Sequence, residues 1–308
     1  MFPAEVVVVG SYNQDVVLTV ARLPAPGETC LALGRIQVAG GKGSNQAIQA
    51  ARCGARVAMV AAIGADPAGD EALAVWGRDG VDTSAVARLS GQGTGPSTGM
   101  AVILVDQAGE NSIVVDPGAN AALGAVHAQA AAVILGSARL VVAQLETPVA
   151  ATRRAFEIAR AAGVRTLLNA APAPEGPLDE LLALTDILVV NQGEGERLSG
   201  CADIEALGAA LLERVGEAVI VTLGGWGAVA FRKNGPPIRR DALRIAVVDT
   251  TGAGDAFIGA FAACYAGAYG LDEALDWGMA AGALACTTLG ATSSFAGRAQ
   301  IQALARRG

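Results

Sequence analysis

The segment Asp249-Thr250-Thr251-Gly252-Ala253-Gly254-Asp255 runs directly into an apolar stretch, Ala256 to Ala266. Small residues leading into a helix leave its first backbone N–H groups unpaired and aimed at one point, which suits an anion such as a phosphate. Asp255 falls in the first helical turn, where a carboxylate can serve as a cap or dipole partner. Beside an anion hole it has a second use, orienting and deprotonating a hydroxyl that attacks a phosphoryl group. The local pattern allows both roles.

Four other positions carry potential chemistry. Gly40-Gly41-Lys42-Gly43-Ser44-Asn45-Gln46-Ala47 opens a helix reaching Cys53, and its glycines either let backbone approach a ligand or form a turn with a surface lysine. Asn191 and Glu194 are three residues apart after a β-branched run, a spacing that serves a hydrated magnesium ion or a helix cap. Thr222-Leu223-Gly224-Gly225-Trp226-Gly227 could line nucleotide phosphates or merely close a hairpin. Asp15 follows the first strand-like run; its carboxylate can accept bonds from two neighbouring hydroxyls or sit in a solvated turn.

Other chemistries are excluded. His127 is the only histidine and has no second histidine or carboxylate at helical spacing, which removes histidine catalysis and histidine-bound zinc. A general base must then be another side chain, and any metal a hard ion on oxygen ligands, with magnesium the leading candidate. Gly252-Ala253-Gly254 half-matches a dinucleotide fingerprint, but Phe257 occupies its last glycine position. Lys42 precedes Gly43 rather than Ser or Thr, so no Walker A motif exists.

The elements that must position these residues read as α/β. Short β-branched runs (Val6 to Val9, Val57 to Ala61, Leu140 to Ala143, Thr166 to Leu168, Ile187 to Val190, Ala218 to Val221) alternate with helical segments. That rhythm predicts a central, mostly parallel sheet with helices on both faces. Many runs end in polar residues, among them Asn13, Asp15, Gln144, Glu146, Asn169 and Asn191, and ligands bind outside the carboxyl ends of such strands. Ile245 to Val248 reads as one more strand ahead of Asp249. Two insertions, at about 15–40 and 96–116, carry hairpin patterns and predict a small antiparallel sheet, either a lid over the site or an edge extension of the main sheet. Ser90 to Pro96 is a Gly-rich lead into the second.

Of 308 residues 52% are apolar and 17% charged, which excludes long disordered tails. Net charge is −7 with no basic stripe, so neither nucleic acid nor a membrane surface is an expected partner. Five widely spaced cysteines give no disulfide framework, and no basic residue precedes an apolar leader ahead of Val6; a reducing cytoplasm is expected. Two uncharged stretches, Ala256 to Leu271 and Gly278 to Gly297, are broken by glycines and read as buried helices with a loop.

In combination and order, Gly40 to Ala47, Asn191-x-x-Glu194, Thr222-x-Gly224-x-x-Gly227 and Asp249 to Asp255 resemble the ribokinase family of sugar and nucleoside kinases, over nearly the whole chain. Lys42 with Asn45-Gln46-Ala47 is similar to its ribose-phosphorylating branch rather than to fructokinase or adenosine kinase relatives. The resemblance implies one ribokinase-like domain, a pentose acceptor (D-ribose giving D-ribose 5-phosphate, or deoxyribose, another sugar or a nucleoside) and ATP, Mg2+ and K+. It implies Asp255 as catalytic base and Gly252, Ala253 and Gly254 as anion hole. Asn13, Asp15, Gly41, Lys42, Asn45 and Glu146 would contact the sugar. Thr222, Gly224 and Gly227 would line the ATP site, with Asn191 and Glu194 organising magnesium and phosphate. Asp249, Thr251, Cys286, Gly290 and Ser294 match the monovalent-cation loops, although Thr292-Ser293 departs from the usual polar-Pro pair and Gln192 stands where many relatives have Glu. Exposed lid edges predict a homodimer through the lid.

Overall fold

The computed structural model describes residues 3–90, 95–173 and 176–306; Gly91 to Thr94 of the Gly-rich stretch and the first two residues of the chain lie outside them. The strands are β1 (Val6–Val9), β2 (Asn13–Thr19), β3 (Gly34–Gly40), β4 (Val57–Gly64), β5 (Asp82–Leu89), β6 (Gly99–Val105), β7 (Asn111–Asp116), β8 (Leu140–Ala143), β9 (Arg165–Asn169), β10 (Ile187–Asn191), β11 (Ala218–Thr222), β12 (Ala228–Arg232) and β13 (Ile238–Arg240). The helices are α1 (Lys42–Arg52), α2 (Pro67–Arg78), α3 (Ala125–Ala130), α4 (Ala132–Ser137), α5 (Val149–Ala161), α6 (Asp179–Leu182), α7 (Gln192–Ser199), α8 (Ile204–Leu212), α9 (Ala253–Ala266), α10 (Leu271–Ala285) and α11 (Arg298–Ala305).

Nine strands form the main sheet in the order β13-β12-β11-β10-β9-β8-β1-β4-β5, parallel from β11 to β5, with β12 and β13 added antiparallel at one edge. Central strands buried on both faces are continuous apolar runs because alternate side chains enter different cores. Val6 and Val8 of β1 belong to one core, shared with α1, α2, α9, α10 and α11, while Val7 and Val9 belong to the other, shared with α3, α4, α5, α6 and α8. The chain leaves β1 toward β4 on one side and meets β8 on the other, so the order of connection reverses at β1. In open α/β sheets a ligand crevice forms at such a point, outside the carboxyl ends of the strands.

The two insertions form a separate sheet, β3-β2-β6-β7. Each is an antiparallel pair, as expected, but β2 and β6 that join them run parallel, so the small sheet is mixed. One face is bare: Ile36, Val38, Ile113 and Val115, which the strand register sets on the same side, are exposed, Ile36 at 60%.

Ile245 to Val248 is not a strand. It is a largely exposed segment that pairs with neither sheet, and its Val248 N–H donates instead to the Cys286 carbonyl at 2.8 Å. The two uncharged stretches fold into α9, α10 and the loop after them, and among the described residues no helix is long and apolar enough to cross a membrane.

Candidate active site

Two close approaches build the floor. Gly41 has φ 88°, and a Cβ there would lie 2.8 Å from the Tyr12 and Asn13 backbone; one on Gly43 would lie 2.5 Å from the Ser11 nitrogen. Only glycine at both positions seats the first turn of α1 on the segment after β1. Glu146, beyond β8, locks this junction: its Oε2 accepts from Lys42 N–H at 2.9 Å and Ser11 Oγ at 2.5 Å. Asn13, at the start of β2 in the small sheet, is held by Asn120, whose Nδ2 donates to Asn13 Oδ1 and to the Tyr12 carbonyl, both at 2.8 Å.

α9 brings the carboxylate. Gly259 lets α9 cross α1 in direct contact, since a Cβ there would come within 2.6 Å of the Gln46 carbonyl. Asp255, 8% exposed, then meets α1: Asn45 Nδ2 donates to its Oδ2 and Gln46 Nε2 to its Oδ1, each at 2.9 Å. Burial pushes the Asp255 carboxyl above the usual carboxylate range and Glu146 adds to this, while Lys42 and the Asn45 and Gln46 donors pull against it. Burial likewise disfavours the Lys42 ammonium, yet Asp255, Glu146 and Glu194 outweigh it and hold Lys42 above the ordinary lysine value. Asp15 completes the cluster; burial first, then Glu146 and Asp255, push it up to about 7. Asp255, Glu146 and Glu194 thus share the Lys42 ammonium.

The N-terminus of α9 starts at Gly252 with φ 75°, where a Cβ would come 2.9 Å from Ala291 Cβ. The first ladder bond is Ala256 N–H to the Gly252 carbonyl at 2.8 Å, which leaves the N–H groups of Gly252 and Gly254 ahead of the ladder. Ala253 N–H, by contrast, donates to the Thr250 carbonyl at 3.2 Å, so the turn already uses that donor.

A cavity of about 250 Å3 opens here, bounded by Lys42, Asn191, Glu194, Thr222, Gly252 and Asp255. Asn191 and Glu194 form a reciprocal cap at the start of α7: Asn191 Oδ1 accepts from Glu194 N–H at 2.8 Å and Glu194 Oε2 from Asn191 N–H at 2.9 Å. They cap a helix and line the cavity together. Burial raises the Glu194 carboxyl, with Asn191 N–H, Lys42 and Arg197 opposing. Thr222 ends β11 directly beside Asn191. The glycine loop after it closes the β11–β12 hairpin, with Leu223 N–H bound to the Gly227 carbonyl at 2.8 Å and Gly227 N–H to the Gly224 carbonyl at 3.1 Å. Gly227 is set by close approach to the Arg240 carbonyl.

Asp249 draws the candidate cation loops together. Its Oδ1 accepts from Thr251 N–H at 2.9 Å and Thr251 Oγ1 at 2.7 Å, and its Oδ2 from Gly290 N–H at 2.8 Å. Although burial pushes it up, these donors hold its carboxyl below the usual range. The Cys286 carbonyl accepts from both Val248 and Asp249 N–H. Ser294 stands apart from these bonds, its hydroxyl donating to the Ala291 carbonyl at 2.7 Å.

Sequence reasoning missed Asn120, which sits in an Ala-rich turn without any motif, and assigned no role to Ser11 or to the amides of Gln46, Gln144 and Asn169. The last three did carry a signal, each lying in a glycine motif or at a strand end.

A parallel sheet with a buried carboxylate at a helix N-terminus, facing a cavity rich in N–H donors at the carboxyl ends of the strands, defines an α/β kinase of small hydroxyl compounds. Residues 3–296 match the family described as pfkB family carbohydrate kinase, and the chain belongs to that family. It is similar to the ribokinase of Haemophilus influenzae, 37% identical over 292 residues that cover 93% of this chain and 94% of the relative. Similarity to a deoxyribokinase of Salmonella typhi is lower, 31% over 296 residues, covering 94% and 95%. Among solved structures, that of Arabidopsis thaliana ribokinase complexed with ribose and ATP superposes with a TM-score of 0.92 at 31% identity, covering 99% of each chain. The fold is ribokinase-like.

Proposed function

We propose that the protein transfers the γ-phosphoryl group of ATP to the terminal hydroxyl of a pentose, converting D-ribose to D-ribose 5-phosphate, and that the whole chain works as one kinase domain. The observation that carries this reading is Asp255: a buried carboxylate with an amide N–H on each oxygen, in the first turn of a helix whose leading N–H groups face the same cavity. The similarity to ribokinases, one of them solved with ribose and ATP, supports the substrates.

Phosphoryl transfer needs alignment and charge stabilisation more than covalent chemistry. Asp255 takes the proton of the sugar hydroxyl as its oxygen forms the new bond to the γ-phosphorus; the bond to the bridging oxygen breaks and ADP leaves. The N–H groups of Gly252 and Gly254 meet the charge that develops, with Ala253 the weaker third member. Asn13, Asp15, Gly41, Lys42, Asn45 and Glu146 orient the sugar, and Thr222, Gly224 and Gly227 border the nucleotide. The hard-oxygen character of Asn191 and Glu194 fits magnesium, which when bound neutralises charge on the nucleotide phosphates. The lid excludes water that would otherwise compete as acceptor. Five free cysteines suit a reducing cytoplasm.

The acceptor test is ADP release with ATP, magnesium, potassium and a panel of sugars and nucleosides; ribose should give the highest kcat/KM. A preference for 2-deoxyribose, the reading favoured by the deoxyribokinase similarity, would reassign the sugar, and ribose binding without ADP release would make the protein a sugar-binding regulator.

Asp249, Thr251, Cys286 and Gly290 supply side-chain and backbone oxygens in braced loops beside Gly252, a donor set suited to potassium, and Ser294 extends it. Turnover in potassium should exceed that in tetramethylammonium salts by roughly tenfold, the effect of one misplaced donor in the anion hole or less; equal rates would remove the cation. The bare face of the small sheet is suited to a second copy of itself, since patches of this kind mark association surfaces. Light scattering should report a dimer at micromolar concentration, and Ile113→Asp a monomer. A wild-type monomer would refute pairing through the lid.

A further inference from the structure

Gln46 is 1% exposed and uses all of its amide. Its Nε2 donates to Asp255 Oδ1 at 2.9 Å and to Asn169 Oδ1 at 3.1 Å, and its Oε1 accepts from Gln144 Nε2 at 2.6 Å. Asn169, at the end of β9, donates through Nδ2 to the Val189 carbonyl at 3.3 Å. A backbone carbonyl can only accept, so Val189 determines which way Asn169 faces. Asn169 therefore presents its oxygen to Gln46, and Gln46 must present its NH2 group to Asp255. Gln144, just past β8, donates its Nε2 to Gln46 Oε1 in this orientation, and the Asp255 carboxylate, which can only accept, excludes the reversed one.

We propose that Gln46 is a positioning residue for the reaction, held by a relay of amides anchored on the Val189 carbonyl so that the base Asp255 is aimed and kept as an acceptor. With Asn45 on the other oxygen, a proton on Asp255 finds a donor already facing it on either side. Three of the relay's members come from adjacent strand ends, so the rigid sheet sets the orientation. The charged groups facing Asp255 are Lys42 from α1, Glu146 from beyond β8 and Asp15 from β2; α10 meets this turn of α9 through uncharged Gly278 and Gly282. Burial, Glu146 and Asp15 all favour a protonated Asp255, and the relay opposes them.

The inference rests on Asp255 being the base, and one pH series tests both. The single-turnover transfer rate, at saturating ATP and ribose, is measured from pH 5 to 9, so that sugar binding by Asp15 does not enter the profile. Gln46→Met keeps length but removes the N–H, and should move the acid limb up by ~1–2 pH units, the loss of one bond to a charged group. The rate at pH 9 should recover to within about fivefold of the parent, as a lost proton-acceptor state is restored by pH. Asn169→Leu, which leaves Asp255 untouched, should shift the limb in the same direction by less, and the double variant no further than Gln46→Met alone. An unmoved limb in a Gln46→Met protein that still binds ribose, or independent addition of the two shifts, overturns the relay. Should Gln46→Met not fold, unmoved limbs in Asn169→Leu and Gln144→Met overturn it equally. Retained turnover in Asp255→Asn instead overturns the base itself.

Discussion

Asp255→Asn should lower kcat by ~10²–10⁴ while leaving ATP affinity within about twofold, the range for losing a general base. The side chains are isosteric, so the turn of α9 and its leading N–H groups stay in place. The chemistry changes at both oxygens. Asn45 and Gln46 each present an N–H, and the new amide has one oxygen and one NH2 group, so a donor faces a donor unless Asn45 turns its unpartnered Oδ1 inward. That clash costs about 1–3 kcal/mol, offset in part because a buried charge is gone. The measurement is steady-state ADP release alongside nucleotide binding by calorimetry. Near-normal turnover would return Asp255 to the cap and dipole role that its position alone permits.

What made this residue legible in the sequence was locality. The turn, the small residues and the helix follow one another along the chain, and the same holds for Gly41-Lys42-Gly43 and for the cap formed by Asn191 and Glu194. Central strands such as β1, β8 and β10 were legible because burial on both faces demands unbroken apolar runs. β5 was not, since it is an edge strand with Asp82, Ser84 and Arg88 interrupting the pattern. Ile245 to Val248 failed in the opposite sense: β-branched residues there have no neighbour to pair with, and Val247 remains 63% exposed. Tertiary context overrides propensity at both places. The relay and Asn120 lay beyond reach for a related reason. Asn120 meets Tyr12 and Asn13 across more than a hundred residues, and Gln46 meets Gln144 and Asn169 across 98 and 123. An amide in such a network looks, in sequence, like any other polar residue.

The largest effect on sugar recognition is expected from Asp15→Ala, a ~10–10³-fold loss of kcat/KM for ribose with ATP affinity within about twofold. Asp15 lies on β2 opposite Val38, with its carboxylate packed against the Gly40 backbone, on the path from lid to α1. A carboxylate that accepts from two neighbouring hydroxyls gains ~1.5–3 kcal/mol per bond, so the loss should shrink for 2-deoxyribose, which has already given up one of them. Acidity gives a second handle on the same residue. In the free protein Asp15 is pushed up to about 7, chiefly by burial and then by Glu146 and Asp255. A carboxyl raised by folding binds a proton in the folded chain that the unfolded chain has lost, so stability falls as pH rises from the ordinary carboxylate range through about 7. Asp15→Asn should therefore raise the melting temperature of the sugar-free protein at pH 8 and leave it unchanged near pH 4. Ribose hydroxyls donate to the anion, so ribose affinity should move the other way, weakening as pH drops below about 7, and Asp15→Asn should flatten that dependence. Calorimetric titration of ribose and of 2-deoxyribose at pH 5.5, 7 and 8.5 tests these outcomes together. Equal losses for both sugars in Asp15→Ala would mean that the side chain does not read the diol, and a pH-independent ribose affinity in the parent would place Asp15 outside the sugar site.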